Sequence, residues 1–160
     1  MPIFDRFDAD NQGWKVSPDA VSYYNASGGN PGGFVAAVDN ATEAWYFIAP
    51  EHMLLEAKRG YGKSLSFDLK QSAIDSQFNG DDIVLTDGII TLVYNTSYNP
   101  ATTWTSYLVK LDEVSGWKKG SQKASKEDFL KVLSKVSGLK IRGEYRAGPD
   151  RGGLDNVSIK

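Results

Sequence analysis

The sequence contains no cysteine, a single histidine and no excess of basic residues. Without cysteine the chain has no disulfide, no thiolate metal site and no cysteine nucleophile. Its charges nearly balance, with 18 Lys and Arg residues against 20 Asp and Glu residues, and this balance argues against nucleic acid as a partner. Its apolar runs fall far short of the roughly 20 residues that a membrane helix needs, so we expect no membrane insertion.

The chain also lacks the usual signatures of catalysis. His52 is the only histidine, and no GxSxG turn or other nucleophile context accompanies it, so we interpret it as a surface or packing residue. A glycosidase needs two carboxylates roughly 5–10 Å apart, and the spacing of the glutamates selects no pair. We therefore expect that the protein is not an enzyme.

Glycine and aromatic residues are abundant, with 16 Gly, 8 Tyr and 4 Trp in 160 residues. This composition is typical of an all-β domain built from short strands and tight turns. Residues 1–160 are enough for one domain. About ten strands separated by turns rather than helices predict antiparallel sheets. The expected fold is an antiparallel jelly-roll β-sandwich with one short helix, at about residues 126–136, in a crossover connection.

The helix prediction has the strongest local signals. Ser125 and Asp128 form a capping-box-like start, and Gly138 is expected to end the helix. One apolar stripe follows the start at helical spacing: Phe129, Val132, Leu133 and Val136. The period then changes to two. A strand with a polar outer face is predicted, in which Lys140, Arg142, Glu144 and Arg146 point outward between Leu139, Ile141, Gly143 and Tyr145.

Two further local patterns predict structure. Asp87–Gly88, between the apolar runs 83–85 and 89–94, favours a hairpin with a type I′ turn, because both central residues of that turn need positive φ. The apolar residues 53–55 are expected to form a single helical turn.

Acidic residues near the two ends of the chain indicate a possible calcium site. Calcium binds six to eight oxygens from carboxylates and loop carbonyls. The first and last strands of an antiparallel sandwich often lie near each other, which would bring the loop of Asp8 and Asp10 toward Asp155. The glycine-rich loop at Asn30–Gly33 could add carbonyl oxygens, and Asp39 is a weaker addition. The alternative is that the aspartates cap turns.

Seven segments in order resemble the laminin IV type A domain, also called the laminin B domain. They are FDADNQGW (7–14), GNPGGF (29–34), WYFIAPEHML (45–54), YGKSLSFDL (61–69), DDIVLTDGIITLVY (81–94), SKEDFLKVLSKVSGLKIRGEY (125–145) and GLDNVSI (153–159). The resemblance implies a sandwich similar to carbohydrate-binding modules, without catalysis, from an extracellular or cell-surface protein. It also implies one structural Ca²⁺, since Asp155 matches an acidic position of such modules. The N-terminus lacks signal-peptide features, so an excised domain is expected.

Aromatic side chains are the candidate ligand-binding residues. Sugar rings stack on exposed aromatic faces while polar neighbours bond to hydroxyl groups. Tyr98 and Trp104 lie in a long polar stretch that predicts an exposed loop, although packing within the loop is the alternative. Trp14, Trp45 and Trp117 lie in family-like segments and are expected in the core.

These observations favour a non-catalytic binding or adhesion module that recognises a glycan or an extracellular or surface protein. A structural spacer with a stabilising metal is the first alternative. A glycan-processing enzyme on a jelly-roll scaffold is the second.

Overall fold

Two antiparallel sheets face each other across a hydrophobic core in the computed structural model, which describes residues 4–17, 20–39 and 44–160. The strands are β1 (Phe4–Asp5), β2 (Lys15–Val16), β3 (Ala20–Asn25), β4 (Phe34–Asp39), β5 (Tyr46–Ile48), β6 (Ser64–Gln71), β7 (Ile83–Thr86), β8 (Thr91–Tyr94), β9 (Thr105–Lys110), β10 (Lys118–Lys119), β11 (Gln122–Lys123), β12 (Gly138–Arg142) and β13 (Arg151–Ile159). The helices are α1 (Glu51–Lys58) and α2 (Lys126–Ser134). The predicted fold class is confirmed.

The order of the strands places the chain ends side by side. Sheet A has the order β3-β4-β13-β6-β9, and β1 also pairs with β13. Sheet B has the order β11-β10-β8-β7-β12-β5-β2. Phe4 lies opposite Ser158 in the pairing of the first and last strands. The expected proximity of these strands is therefore correct, and Asp155 is held in the middle of sheet A.

Alternation along the strands builds the core. In β6, Leu65, Phe67 and Leu69 are buried between the sheets, whereas Ser66 and Asp68 lie on the outer face of sheet A. The ring of Phe67 stacks on Tyr107 of the neighbouring strand, with centroids 5.2 Å apart. Burial of each such large apolar side chain stabilises the fold by about 1.5–3 kcal/mol.

The three tryptophans expected in the core are fully buried: Trp14, Trp45 and Trp117. Trp45 packs its ring against the backbone of Gly143 so closely that any side chain at Gly143 would overlap the indole. Trp117 meets Phe129 of α2 edge to face, with centroids 5.5 Å apart. This contact fixes the helix on sheet B, because edge-to-face aromatic pairs add about 0.5–1.5 kcal/mol to their area burial.

The start of α2 is confirmed in detail. The Ser125 hydroxyl accepts the Asp128 N–H, and the Asp128 carboxylate accepts the Ser125 N–H, both at 3.0 Å. The helix connects the edge strand β11 to the interior strand β12, which is the predicted crossover. Its end differs, because α2 stops at Ser134 and Gly138 is the first residue of β12.

A second helix, α1, forms where a single helical turn was expected. It covers two turns and buries Met53, Glu56 and Ala57. Its His52 ring nitrogen Nε2 lies 2.8 Å from the buried carboxylate of Asp5 in β1. His52 therefore has a packing role, since it links the helix to the first strand.

The predicted outward orientation of Arg142 and Glu144 is wrong. Arg142 is 1% exposed and Glu144 is 2% exposed. The Arg142 guanidinium donates to Asp82 Oδ1 at 3.1 Å and to the carbonyls of Phe78 and Glu144 at 2.7 and 2.6 Å. The segment that contains Phe78 and Asp82, just before β7, covers this end of β12. It supplies acceptors that a buried guanidinium requires.

The β7–β8 hairpin forms as predicted, but its turn is different. Thr86 lies opposite Thr91, so four residues form the loop. Of the two residues expected to have positive φ, only Gly88 does, at 94°. The Asp87 carboxylate accepts the N–H groups of Ile89 and Ile90 at 2.8 and 2.7 Å. This side-chain cap favours the longer turn over a type I′ turn.

Neither of the helices found in the described residues has the length and apolar character needed to cross a bilayer.

A candidate ligand-binding cleft on sheet A

The outer face of sheet A carries a cleft whose floor is formed by small residues. Strand pairing places Tyr23, Ala36, Gly153 and Lys70 directly opposite one another across four strands. The cleft, here called the Gly153 cleft, has a volume of about 330 Å³. Its lining residues are Tyr23, Phe34, Ala36, Lys70, Gln71, Ser72, Thr102, Arg151, Gly152 and Gly153. This volume is at the lower end of the ~300–1,000 Å³ range of small-molecule sites.

Gly153 leaves room for two aromatic rings directly above the sheet. A Cβ atom at this position would lie 3.0 Å from the ring of Phe34 and 3.2 Å from Cη2 of Trp104. Both distances are tighter than ordinary van der Waals contact, so a larger residue would displace the two rings. Glycine therefore allows the aromatic side chains to lie close to the sheet.

Trp104 lies beside the cleft, behind the lining residues Phe34 and Lys70, and it is held in place. Its Nε1 donates to the Gly28 carbonyl at 3.0 Å, and its ring meets Phe34 edge to face with centroids 5.3 Å apart. The Lys70 ammonium lies 4.9 Å from the Trp104 centroid and 4.6 Å from the Phe34 centroid. Trp104 was predicted to lie in an exposed loop. It is instead partly buried against the glycine-rich loop, where it contacts Phe34 and Lys70.

Tyr98 lies over a second depression on the same face. It is 49% exposed and stacks on Tyr107 with centroids 4.7 Å apart, while its hydroxyl donates to the Ser106 carbonyl at 2.6 Å. This second depression, here called the Asp68 groove, has a volume of about 770 Å³. Its lining residues are Phe4, Arg6, Asp8, Pro31, Ser66, Phe67, Asp68, Tyr98, Ser106, Tyr107, Leu108 and Asn156. Tyr98 and Trp104 therefore belong to different parts of the face.

The structure brings Asn30 and Asp155 together, as the calcium hypothesis requires. Asp155 Oδ2 accepts the backbone N–H of Asn30 at 2.6 Å. Burial, together with the charges of Asp68 and Asp8, raises the pKa of Asp155 to about 6. Sequence reasoning missed Asp68, whose Oδ2 accepts the side-chain amides of Asn30 and Asn156 at 3.0 and 2.8 Å. Its outward position in the alternating β6 segment was the available signal.

Three other residues of the hypothesis have separate structural roles, whereas Asp8 lines the groove beside Asp68. Asp10 Oδ1 accepts the N–H of Gln12 at 2.8 Å and caps its own turn. Gly33 packs so closely on the carbonyl of Phe7 that a side chain there would overlap it. Asp39 lies at the far end of β4, where its N–H donates to the Asp150 carbonyl at 2.9 Å.

The carboxylate oxygens of this cluster accept hydrogen bonds from amide groups. Amide hydrogens of Asn30 and Asn156 point at the carboxylates of Asp155 and Asp68. Across residues 4–17, 20–39 and 44–160, no three acidic or histidine side chains are arranged to hold one ion. Calcium binding therefore stays a prediction.

Thermal melting distinguishes a calcium site from a cluster held by hydrogen bonds alone. If calcium binds the folded state, excess calcium raises the melting midpoint and EGTA lowers it, because a ligand specific to the folded state adds its binding free energy. The change should vanish in Asp155→Asn. An unchanged midpoint in the wild type would instead support the hydrogen-bonded arrangement.

The sequence matches the model of a known protein family. A family model described as Laminin B (Domain IV) matches residues 46–160. The chain belongs to the laminin B family. This membership confirms the resemblance carried by the seven sequence segments.

Laminin chains are among the relatives of this laminin B domain. Laminin subunit gamma-1 of Xenopus tropicalis is 25% identical over 163 residues, which cover 98% of this chain and 10% of the relative. Laminin-like protein lam-2 of Caenorhabditis elegans is 28% identical over 167 residues, which cover 99% of this chain and 10% of the relative. The chain thus spans about a tenth of the length of these relatives.

Solved structures share the fold of this laminin B domain. The L4b domain of human laminin alpha-2 superposes with a TM-score of 0.68 at 16% identity, covering 99% of this chain and 96% of that chain. A family 11 carbohydrate-binding module from Clostridium thermocellum, in complex with a beta-1,3-1,4-mixed-linked tetrasaccharide, superposes with a TM-score of 0.57 at 13% identity. That match covers 99% of this chain and 93% of the module.

Proposed function

We propose that this laminin B domain is a non-catalytic module of an extracellular protein and binds a glycan in the Gly153 cleft. The observation that carries the proposal is the row Tyr23–Ala36–Gly153–Lys70, in which two small residues separate the exposed ring of Tyr23 from the ammonium of Lys70. A sugar ring can pack against the exposed ring of Tyr23 while polar neighbours bond to its hydroxyl groups.

The polar groups around the floor suit a hydroxylated ligand. Ser72 and Thr102 line the cleft with hydroxyl groups, and Lys70 and Arg151 add N–H donors. A few polar groups placed around an apolar floor are the usual means by which such sites orient a ligand. The laminin relatives support an extracellular location, and the family 11 module, which is in complex with a tetrasaccharide, supports a glycan as the ligand class.

A catalytic role has less support from the geometry. Hydrolysis of a glycosidic bond needs two carboxylates facing the bond, and none of the described residues that line the Gly153 cleft is acidic. The buried acids Glu144 and Asp150 do not line this cleft.

A glycan array followed by calorimetry tests the proposal with two matched variants. Tyr23 and Tyr98 are both exposed, at 38% and 49%, but they line different depressions. We expect Tyr23→Ala to weaken binding about tenfold, which corresponds to about 1.4 kcal/mol, and Tyr98→Ala to have little effect. If only Tyr98→Ala lost binding, the ligand site would be assigned to the Asp68 groove instead. Absence of binding to every glycan would favour a structural spacer.

A further inference from the structure

Positive charge is concentrated in the Gly153 cleft. Lys70 and Arg151 both line it, whereas no described lining residue is acidic. The chain as a whole has a formal net charge of −2. The Asp68 groove on the same face differs, because Asp8 and Asp68 accompany its Arg6.

The charge of Lys70 is positioned without a carboxylate partner. Its ammonium lies between the rings of Phe34 and Trp104 and donates to the Gly28 carbonyl at 3.3 Å. Within the described part of the chain, none of the ion pairs includes Lys70. Cation–π contacts hold an ammonium in place but leave its charge free to attract an anion.

Arg151 adds a second cation on a rigid backbone. Its N–H donates to the Ser72 hydroxyl at 3.2 Å, and its carbonyl accepts the Ser72 N–H at 3.0 Å. The side chain is exposed and enters none of the ion pairs among the described residues. A guanidinium presents paired N–H donors that match the oxygens of carboxylate and sulfate groups.

We propose that the ligand of the Gly153 cleft is an acidic glycan, whose carboxylate or sulfate groups are bound by Lys70 and Arg151. This inference rests on the proposed glycan-binding function and names its ligand class. The exposed ring of Tyr23 packs against the sugar ring, and the two cations select the anionic substituent. Uronate carboxylates and sulfate esters are the two sources of this charge.

Titration calorimetry with three oligosaccharides tests the ligand class. The probes are an oligogalacturonate, a heparin-derived oligosaccharide and a neutral mixed-linked β-glucan tetrasaccharide. We expect at least one acidic probe to bind ten times more tightly than the neutral probe. The affinity for that probe should fall as salt is raised, because mobile ions screen partly exposed charges. Preference for the first or second probe identifies the carboxylate or the sulfate as the recognised group.

Matched charge variants test the assigned residues. We expect Lys70→Gln and Arg151→Gln each to weaken binding of the acidic probe about tenfold and to weaken binding of the neutral probe by a smaller factor. Lys140→Gln is the control, because Lys140 is an exposed lysine of β12 in sheet B. Thermal melting shows that each variant is folded, and Arg151→Gln keeps the test valid if Lys70→Gln unfolds.

The outcomes separate the two proposals. Equal or tighter binding of the neutral probe would overturn the acidic ligand and leave the glycan-binding function in place. An equal loss in Lys140→Gln would show attraction by overall charge and overturn the assignment of Lys70 and Arg151. Absence of binding by all three probes, together with a blank glycan array, would overturn the proposed function itself.

Discussion

Replacing Arg142 by methionine is expected to lower the free energy of unfolding by about 3–5 kcal/mol, the usual cost of removing one partner of a buried ion pair. Methionine fills much of the same volume but has no N–H donor. Asp82, which is 5% exposed, would then remain buried without the guanidinium that lies 3.1 Å away. An uncompensated buried charge is the dominant part of the loss.

Two backbone carbonyls add to the effect of Arg142→Met. Phe78 and Glu144 each accept a hydrogen bond from the guanidinium, and a buried acceptor that loses its donor costs about 1–3 kcal/mol. Urea denaturation measures the change. Lys131→Met is the control, because Lys131 and Glu127 are 62% and 78% exposed in their pair, and exposed pairs contribute about 0–1 kcal/mol.

A double-mutant cycle separates the ion pair from general packing. Asp82→Leu combined with Arg142→Met should lose less stability than the sum of the two single changes, since the double variant leaves no buried unpaired charge. Some loss should persist, because Asp82 also accepts hydrogen bonds from the N–H and hydroxyl of Thr96. Additive losses, or a loss below about 1 kcal/mol in Arg142→Met, would contradict the buried pair.

Elements with local signals were predictable from the sequence. The start of α2 depends on Ser125 and Asp128, which are three residues apart. The β7–β8 hairpin depends on apolar runs on either side of Asp87 and Gly88. In each case the interacting residues are close in the sequence, so their spacing alone identifies the element.

The burial of Arg142 was not predictable in this way. Alternation correctly places Arg142 on the opposite face of the strand from Ile141. It does not show which part of the chain covers that face. Its acceptors Asp82 and Phe78 lie 60 and 64 residues earlier in the chain. The covering segment is placed by tertiary packing, which overrides the pattern of a half-buried strand.

The Gly153 cleft escaped prediction for a related reason. Trp104 was a candidate aromatic residue in the sequence, but the row of residues beside it comes from the pairing of β13 with β4 and β6. Register decides that Gly153 faces Ala36 and Lys70, and a shift by one residue would turn them to the other face. The sequence segment GLDNVSI does not show that its glycine will lie beside Ala36 and Lys70.

Glu144 is expected to make the protein less stable as the pH rises toward alkaline values. Burial raises the pKa of Glu144 to about 8, and hydrogen bonding to Asp39 and the charge of Asp150 act in the same direction. Burial likewise raises the pKa of Asp150 to about 6. The folded state therefore binds these protons more tightly than the unfolded state does.

The sign of the effect follows from proton linkage. A group with a raised folded-state pKa contributes its full stability below its unfolded pKa and loses that contribution as the pH rises through the folded pKa. For Glu144 this window runs from about pH 5 to about pH 9, and at ~1.4 kcal/mol per pKa unit the loss is about 3–5 kcal/mol. Asp150 and Asp155, whose pKa values are both raised to about 6, add to the decline at the acidic end of the window.

Glu144→Gln should remove most of this decline, because glutamine keeps the shape of the protonated acid and does not ionise. Urea denaturation across the window, in wild type and variant, measures it. Glu113→Gln is the control, since the hydroxyl of Tyr61 lowers the pKa of Glu113. That group loses its contribution only as the pH falls through its folded-state value, so its variant should keep the wild-type alkaline decline. If Glu144→Gln declines as steeply as the wild type, Glu144 is already ionised in the fold at neutral pH, and the titrating group lies elsewhere.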